Sequence, residues 1–372
     1  MEKLNIFSFK EEVFVDCNGN GPYDNLFPKL KRFTDSKELP DKYIINLNTW
    51  ELKNDNFLDI LSKNKRLVDD LRNKKAKILI NRIGEFDSFS NGKIIGEEYE
   101  RLFTFLEKLN VPKTNILYCN FNYLVEEAFY NTEIKVKYHN FTKFNLYNLN
   151  KDKKDSMLEY FNLQKKKLRG NYYLSYNHHP KPHRKHIVEF LQTYDVKSLL
   201  SASWKNLVLD GINDIENWTE NNKTLYYYHN RDHFFDSYFS IITESHFADS
   251  TGSLNMGFTE KTWKPIINFH PFYMVGAKNS LVNLRKSGFE TFTELIDERY
   301  DNLESGCSVS DSPRLDYICD DLKKVFSKSI YELNDIYYSM EEKVVHNFQH
   351  FFRLCETEIN EFEDYLINFC NS

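Results

Sequence analysis

Two stretches of this chain bring together residue types that could hold an anion. In "YYLSYNHHPKPHRKHIVEFL" a strand-like run passes into a helical one through a loop carrying Asn177, His178, His179, Lys181, His183, Arg184 and Lys185. Cations and hydrogen-bonding groups there meet the start of a helix, whose unpaired amides and dipole already favour negative charge. A phosphate is the natural ligand of that combination, with Asn177, His179, Lys181 and Arg184 as its contacts. The plain alternative is a solvated basic turn in which Pro180 and Pro182 simply stop the strand.

The second stretch, "SYFSIITESHFADSTGSLNMGFTEKTWKPIINFHPFYMVG", ends a strand at Glu244 and Ser245 and opens a helix at Thr259, Glu260 and Lys261. Threonine is a helix-capping type, and an acid in the first turn suits the dipole. Lys261 does not suit it, being a cation at the unfavourable end unless something negative lies opposite. A nucleoside diphosphate supplies that charge, with Lys261 on phosphate and Glu260 accepting hydrogen bonds from ribose hydroxyls. Trp263 and Pro265 then pack against the sheet, and Lys264 is a surface or rim residue. The plain alternative for Glu260 is an acid that only serves the dipole. A metal is not expected: no cysteine or acidic cluster completes either His178, His179 and His183 or His229 and His233. The Lys and Arg around the first set also repel a divalent cation.

Elements that alternate in type must position these loops. "EEVFVD", "YIINL", "KILINR", "NILYCN" and "IKVKYH" are strand-like, while "DNFLDILSKNKRLVDDLRNK" and "GEEYERLFTFLEKL" repeat apolar residues at helical spacing. Beyond residue 170 the alternation restarts with "YYLSYN", "KSLLSAS", "SYFSIITE" and "PFYMVG" as strands, and "RKHIVEFLQTY", "EKTWKPIINF" and "NSLVNLRKSG" as helices. Strand, helix, strand in sequence predicts parallel sheets with helices on their faces. The expected organisation is an α/β domain over 1–150, a charged linker or bridging helix over 151–170, a second α/β domain over 171–315 and closing helices over 316–372. The last segment holds no Gly or Pro to break it. Two such domains would face a central cleft, with ligands outside the carboxyl ends of the strands.

Composition bounds the function classes. The chain has 372 residues, enough for two cores, and 31 Phe and 24 Tyr to fill them. A net charge of -6 gives no global field for nucleic acid or an anionic membrane. The basic runs "KLKRF" (29–33), "KNKR" (63–66), "RNKKAK" (72–77) and "QKKKLR" (164–169) leave a local patch open, although solvated helix faces are the commoner use of such runs. Cys17, Cys119, Cys307, Cys319, Cys355 and Cys370 form no close pairs and read as free thiols. The charged opening "MEKLNIFSFKEEVFVD" lacks the apolar core of a signal peptide, and no window is long and apolar enough for a membrane span, so a cytoplasmic protein is expected.

The order strand, "TES", loop, "TEKTWKPI", strand "PFYMVG", then "SLVNLRKSGFETF" and "IDERYD" resembles the donor-site region of nucleotide-sugar glycosyltransferases related to α-1,3-fucosyltransferases. Arg184 stands where that group has a helix-opening arginine for the donor pyrophosphate. Similar segments occur in glycosyltransferase-like proteins of phages and giant viruses. The resemblance spans about residues 171–305 and departs from the pattern in the longer loop "SHFADSTGSLNMGF" and in "EKTWKP". It implies a GT-B fold of two Rossmann-like domains, the nucleotide sugar on the second, a hydroxyl acceptor such as a saccharide chain on the first, and the closing helices crossing back toward the first. Asn177, His179, Lys181, Arg184, Glu244, Ser245, Thr259, Glu260 and Lys261 become the donor set.

In such an enzyme cations stabilise the leaving diphosphate. No D-x-D follows a strand, "VDD" at 68–70 and "CDD" at 319–321 being badly placed, so no metal cofactor is expected. Inversion at the anomeric carbon needs a carboxylate to take the acceptor proton. "KILINRIGEFDSFSNG" offers Glu85 first and Asp87 second, with a solvated loop acid as the alternative. "VFVDCNGNGPYDNLF" offers Asp16, Gly19, Gly21 and Tyr23 as an acceptor-side loop, or simply a turn. Two other functions stay open: a DNA glycosyltransferase acting on hydroxymethylated bases, and a non-catalytic nucleotide- or glycan-binding protein.

Overall fold

Runs such as Tyr43–Asn48, Ala76–Asn81 and Ile116–Asn120 are mostly apolar without strict alternation, the pattern of parallel strands covered on both faces. The computed structural model describes residues 4–8, 30–33, 41–48, 58, 63–81, 88–90, 93–95, 97–120, 125–128, 133–165, 167–209, 229–247, 257–304 and 312–372. The chain forms two units, one of Met1–Asn145, Gly252–Gly257 and Glu356–Ser372, the other of Leu146–Thr251 and Phe258–Cys355.

In the first unit β1 (Leu4–Ser8), β2 (Leu30–Phe33), β3 (Tyr43–Asn48), β4 (Ala76–Asn81), β7 (Ile116–Asn120) and β8 (Lys135–Tyr138) form a parallel sheet in the order β2-β1-β3-β4-β7-β8. The order reverses between β1 and β3, as in doubly wound sheets. β5 (Ser88–Ser90) and β6 (Lys93–Ile95) make a separate antiparallel pair. Ile45, Leu47, Ile78, Ile80 and Tyr118 build the core with Leu67, Val68 and Leu71 from the helix Lys65–Arg72. Asn64 caps that helix by accepting from the Leu67 amide at 3.2 Å, and Asn115 donates to the Leu71 carbonyl at 2.7 Å.

Three of the basic runs have structural uses. Leu30–Phe33, within "KLKRF", is the outer strand β2. Lys77, from "RNKKAK", is 2% exposed, bonded to Ser372 Oγ at 2.7 Å and seated over the Phe369 ring. Arg169, from "QKKKLR", is buried on the Phe234 and Ser237 carbonyls, both at 2.6 Å, with its guanidinium 3.8 Å from the Tyr337 ring centroid.

The second unit holds β9 (Asn171–Asn177), β10 (Leu199–Ala202), β11 (Ser237–Thr243) and β12 (Phe272–Val275), all parallel in the order β10-β9-β11-β12. Of the linker or bridging helix expected over 151–170, the chain carries the helix Lys154–Gln164, because Met157 and Phe161 give it an apolar side; Phe161 stacks on Phe269 at 4.3 Å. The unbroken tail is three helices, Pro313–Phe326, Ile330–Ser339 and Glu341–Asn371. No Gly or Pro makes the break at Ser329: a capping box does, its hydroxyl on the Glu332 amide and the Glu332 carboxylate on its own amide. Within the last helix, Glu356–Ser372 belongs to the first unit. Mixed α/β architecture with parallel sheets and covering helices is therefore as the sequence predicts.

Candidate functional site

The strand order of the second unit reverses between β9 and β11, and in open α/β sheets ligands bind outside the carboxyl ends of strands at such a point. Those are the strand ends from which both candidate anion motifs start. Asn177 ends β9, and its side chain is consumed in holding three strands together. Its Nδ2 donates to Ser175 Oγ at 3.0 Å and to the Ser201 carbonyl at 3.3 Å, while Oδ1 accepts from Thr243 Oγ1 at 2.6 Å. At 4% exposure it positions the loop.

The following helix, Pro182–Leu191, starts with proline at its first position, where a missing amide costs nothing. Its first turn is tied to the end of β11. His183 Nε2 donates to the Glu244 carbonyl at 2.8 Å, Arg184 donates to the same carbonyl at 3.3 Å and to the His179 carbonyl at 3.4 Å, and Lys181 Nζ donates to the Ser245 carbonyl at 2.7 Å. Arg184, expected on the donor pyrophosphate, is thus buried among carbonyls. His179 is exposed and rests against His178.

Glu244 is also interior, at 3% exposure. Its Oε1 accepts from the Thr259 amide at 3.1 Å and Thr262 Oγ1 at 2.5 Å, and its Oε2 from the Ser245 amide at 3.1 Å and Thr259 Oγ1 at 2.6 Å. Four donors around one carboxylate make it a clamp between the end of β11 and the next helix, Glu260–Ile267. Thr259 caps that helix as expected, accepting from the Lys261 amide at 3.4 Å. Trp263 is buried among Phe258, Phe289 and Phe351, and Pro265 is buried beside it.

The negative group opposite Lys261 proves to be its neighbour. Lys261 Nζ lies 2.9 Å from Glu260 Oε1, 3.2 Å from Thr259 Oγ1 and 3.4 Å from Ser245 Oγ. Lys181 and Lys261, from motifs far apart in sequence, therefore converge on one residue, Ser245, and both keep partial exposure. Lys264 is partly exposed, the rim position expected of it, and burial pulls its pKa down to about 8, with Lys261 acting the same way and Glu260 opposing.

The histidines register the excess of positive charge. Burial lowers the His178 pKa, and His179, Arg184 and Lys261 lower it further. Burial pulls His183 down to about 3, against the bond to the Glu244 carbonyl and helped by Arg184, Lys181 and His246. His183 is therefore a neutral donor through Nε2. Among the described residues no group of three or more His, Cys, Asp or Glu is arranged to hold a metal.

Two structural members escaped sequence reasoning. Thr262 differs from a solvent threonine only by its place three residues after the cap. Arg314 is buried, donating to the carbonyls of Gly276 at 2.8 Å, Tyr300 at 3.3 Å and Phe247 at 3.4 Å, so it braces the loop after β11 and the end of β12. The proline before it, a helix-start signal, was the only hint. Glu85, Asp87, Asp16, Gly19, Gly21 and Tyr23 lie outside the described residues.

Among the described residues no helix is long and apolar enough to cross a membrane. No family description matches the chain, and no curated protein is similar to it. Among solved structures it is similar to the N-terminal domain of Candida albicans trehalose-6-phosphate phosphatase, at 12% identity and a TM-score of 0.35, over 88% of this chain and 73% of that one. A likeness at that level carries no argument about activity.

Proposed function

We propose that the chain is a glycosyltransferase that moves a sugar from a nucleoside-diphosphate sugar to a hydroxyl acceptor, and that the donor diphosphate binds where β9 and β11 end. The observation that carries this is the convergence of Lys181 and Lys261 on Ser245 at the switch point of a parallel sheet. Two partly exposed ammonium groups there suit a leaving group on which negative charge develops. The resemblance of the same two loops to a fucosyltransferase donor site supports the choice of a nucleotide sugar. In this proposal Glu260 meets ribose, Glu85 or else Asp87 takes the acceptor proton, the two α/β units have the GT-B organisation, and no metal takes part. Binding by the folded state alone raises stability by RT ln(1 + [L]/Kd), about 2.7 kcal/mol at a hundredfold excess over Kd. A thermal-shift panel of GDP, UDP, ADP and dTDP with their sugars should therefore single out one base. A panel in which nothing moves the melting temperature overturns the proposal. Hydrolysis of the selected donor, undiminished by EDTA, then separates an enzyme from a binding protein.

A further inference from the structure

Lys264 follows Glu260 by one turn on the same helix, and helical side chains lean back toward the amino end, so its ammonium approaches the Glu260–Lys261 pair. The same helix buries Thr262, Trp263, Pro265, Ile266 and Ile267, with Thr262 and Ile266 on the side opposite Lys264. The charged groups acting on Lys264 are Glu260, which attracts it, and Lys261, which repels it. The Glu260 carboxylate is already engaged by Lys261 at 2.9 Å. Among the described residues the Lys264 ammonium has neither a hydrogen-bond acceptor nor an ion-pair partner, although it is enclosed enough for burial to depress its pKa. Burial disfavours that charge, and Glu260 offsets this only in part.

One turn further on stands Asn268, 1% exposed. Its Nδ2 donates to the Lys264 carbonyl at 2.7 Å and faces His229 Nε2 at 2.8 Å, while its Oδ1 is buried and accepts from nothing among the described residues. The helix thus carries an unmet cation and an unmet acceptor on successive turns. A ligand that answers both bears anionic oxygens and hydroxyl donors together.

We propose that Lys264 is a phosphate-contacting residue of the donor site, extending it from Lys261 along the helix, with Asn268 Oδ1 accepting from a hydroxyl of the same phosphorylated ligand. This rests on the donor site proposed above.

Calorimetric titration with inorganic pyrophosphate, which needs no choice of base, and with GDP, UDP, ADP, dTDP and the matching nucleosides provides the test. Lys264→Gln should weaken pyrophosphate and the preferred diphosphate by about tenfold or more, the scale of a charge-assisted bond, with the nucleoside little affected. Lys264→Arg, which keeps the charge, should restore most of the affinity. Without ligand, Lys264→Gln should melt higher than wild type, since it removes an enclosed charge; a lysine of purely structural use would lower the melting point. Wild type that binds diphosphate while Lys264→Gln binds it equally well, or loses nucleoside to the same degree, overturns the role of Lys264 alone. Wild type that binds neither pyrophosphate nor any diphosphate overturns the donor site and this inference with it.

Discussion

Glu244→Gln is the sharpest perturbation of the site, because it changes one oxygen for one nitrogen in a carboxylate ringed by four donors. Placed at the Oε1 position, the new amide nitrogen faces the Thr259 amide and the Thr262 hydroxyl; placed at Oε2 it faces the Ser245 amide and the Thr259 hydroxyl. A hydroxyl can turn to accept, but a backbone N–H cannot. Either rotamer therefore loses one bond to a charged acceptor, about 1.5–3 kcal/mol, and strands a buried N–H at about 1–3 kcal/mol. The sum is about 2.5–6 kcal/mol, a large share of the 5–15 kcal/mol that is roughly typical of a folded protein. Thr262→Val keeps the shape and removes a single donor, so it should cost about 1.5–3 kcal/mol on the same scale. Urea and thermal unfolding of the two variants measure this directly. A glutamine variant within about 1 kcal/mol of wild type, less than one such bond, would refute the clamp. Unchanged stability with lost diphosphate binding would return Glu244 to the ligand.

His183 titrates in the folded protein near 3 against 6.5 for the ordinary imidazole, so its neutral form stabilises the fold above 6.5 and that contribution is lost as pH falls toward 3. Linkage puts the loss between pH 7 and pH 5 at about 2 kcal/mol. His183→Gln keeps a donor for the Glu244 carbonyl without titrating, and should flatten the acid limb of unfolding free energy against pH by that amount; parallel curves would show the histidine is not buried neutral. Gly288 has φ of +86°, and a Cβ there would come within 2.6 Å of His350 Nε2. Gly288→Ala should destabilise by about 1–2 kcal/mol for the left-handed backbone and more for displacing His350, read by thermal unfolding. Glu85→Gln should leave diphosphate binding intact and lower kcat by about 10²–10⁴, the scale of general base catalysis, in a donor–acceptor turnover assay. Wild-type turnover moves that role to Asp87.

The parallel strands were legible because their apolar runs are bounded by turn residues and both sheet faces are covered, as in Tyr43–Asn48 and Ser237–Thr243. The Thr259 cap was legible because capping depends on one side chain and the next few amides. What the sequence left open needed tertiary information. A carboxylate at a strand end looks alike whether it faces a ligand or four protein donors, as Glu244 does. A cation in a basic run looks solvated until the fold places it, and Lys77 and Arg169 went inside. The closing helices carried one more legible signal: the sequence from Ser329 to Glu332 has capping-box spacing, which marks the start of a new helix.

The geometry separates the motif residues into two groups that sequence could not tell apart. Asn177, His183, Arg184, Glu244, Thr259 and Thr262 are buried and bonded to strand ends, loop carbonyls or helix amides. Lys181, Glu260, Lys261 and Lys264 are partly exposed around the same loops. Preorganisation demands such a division, since donors act on developing charge without reorganising only when a rigid scaffold fixes them beforehand. On the proposed function the pairing of Lys261 with Glu260 fits this scheme: the acid holds the lysine in place, and a donor diphosphate would compete for an ammonium already oriented. Substitutions in the buried group should therefore move stability first and affinity only as a consequence. Substitutions in the exposed group should move diphosphate affinity while the melting temperature stays put or, for Lys264, rises.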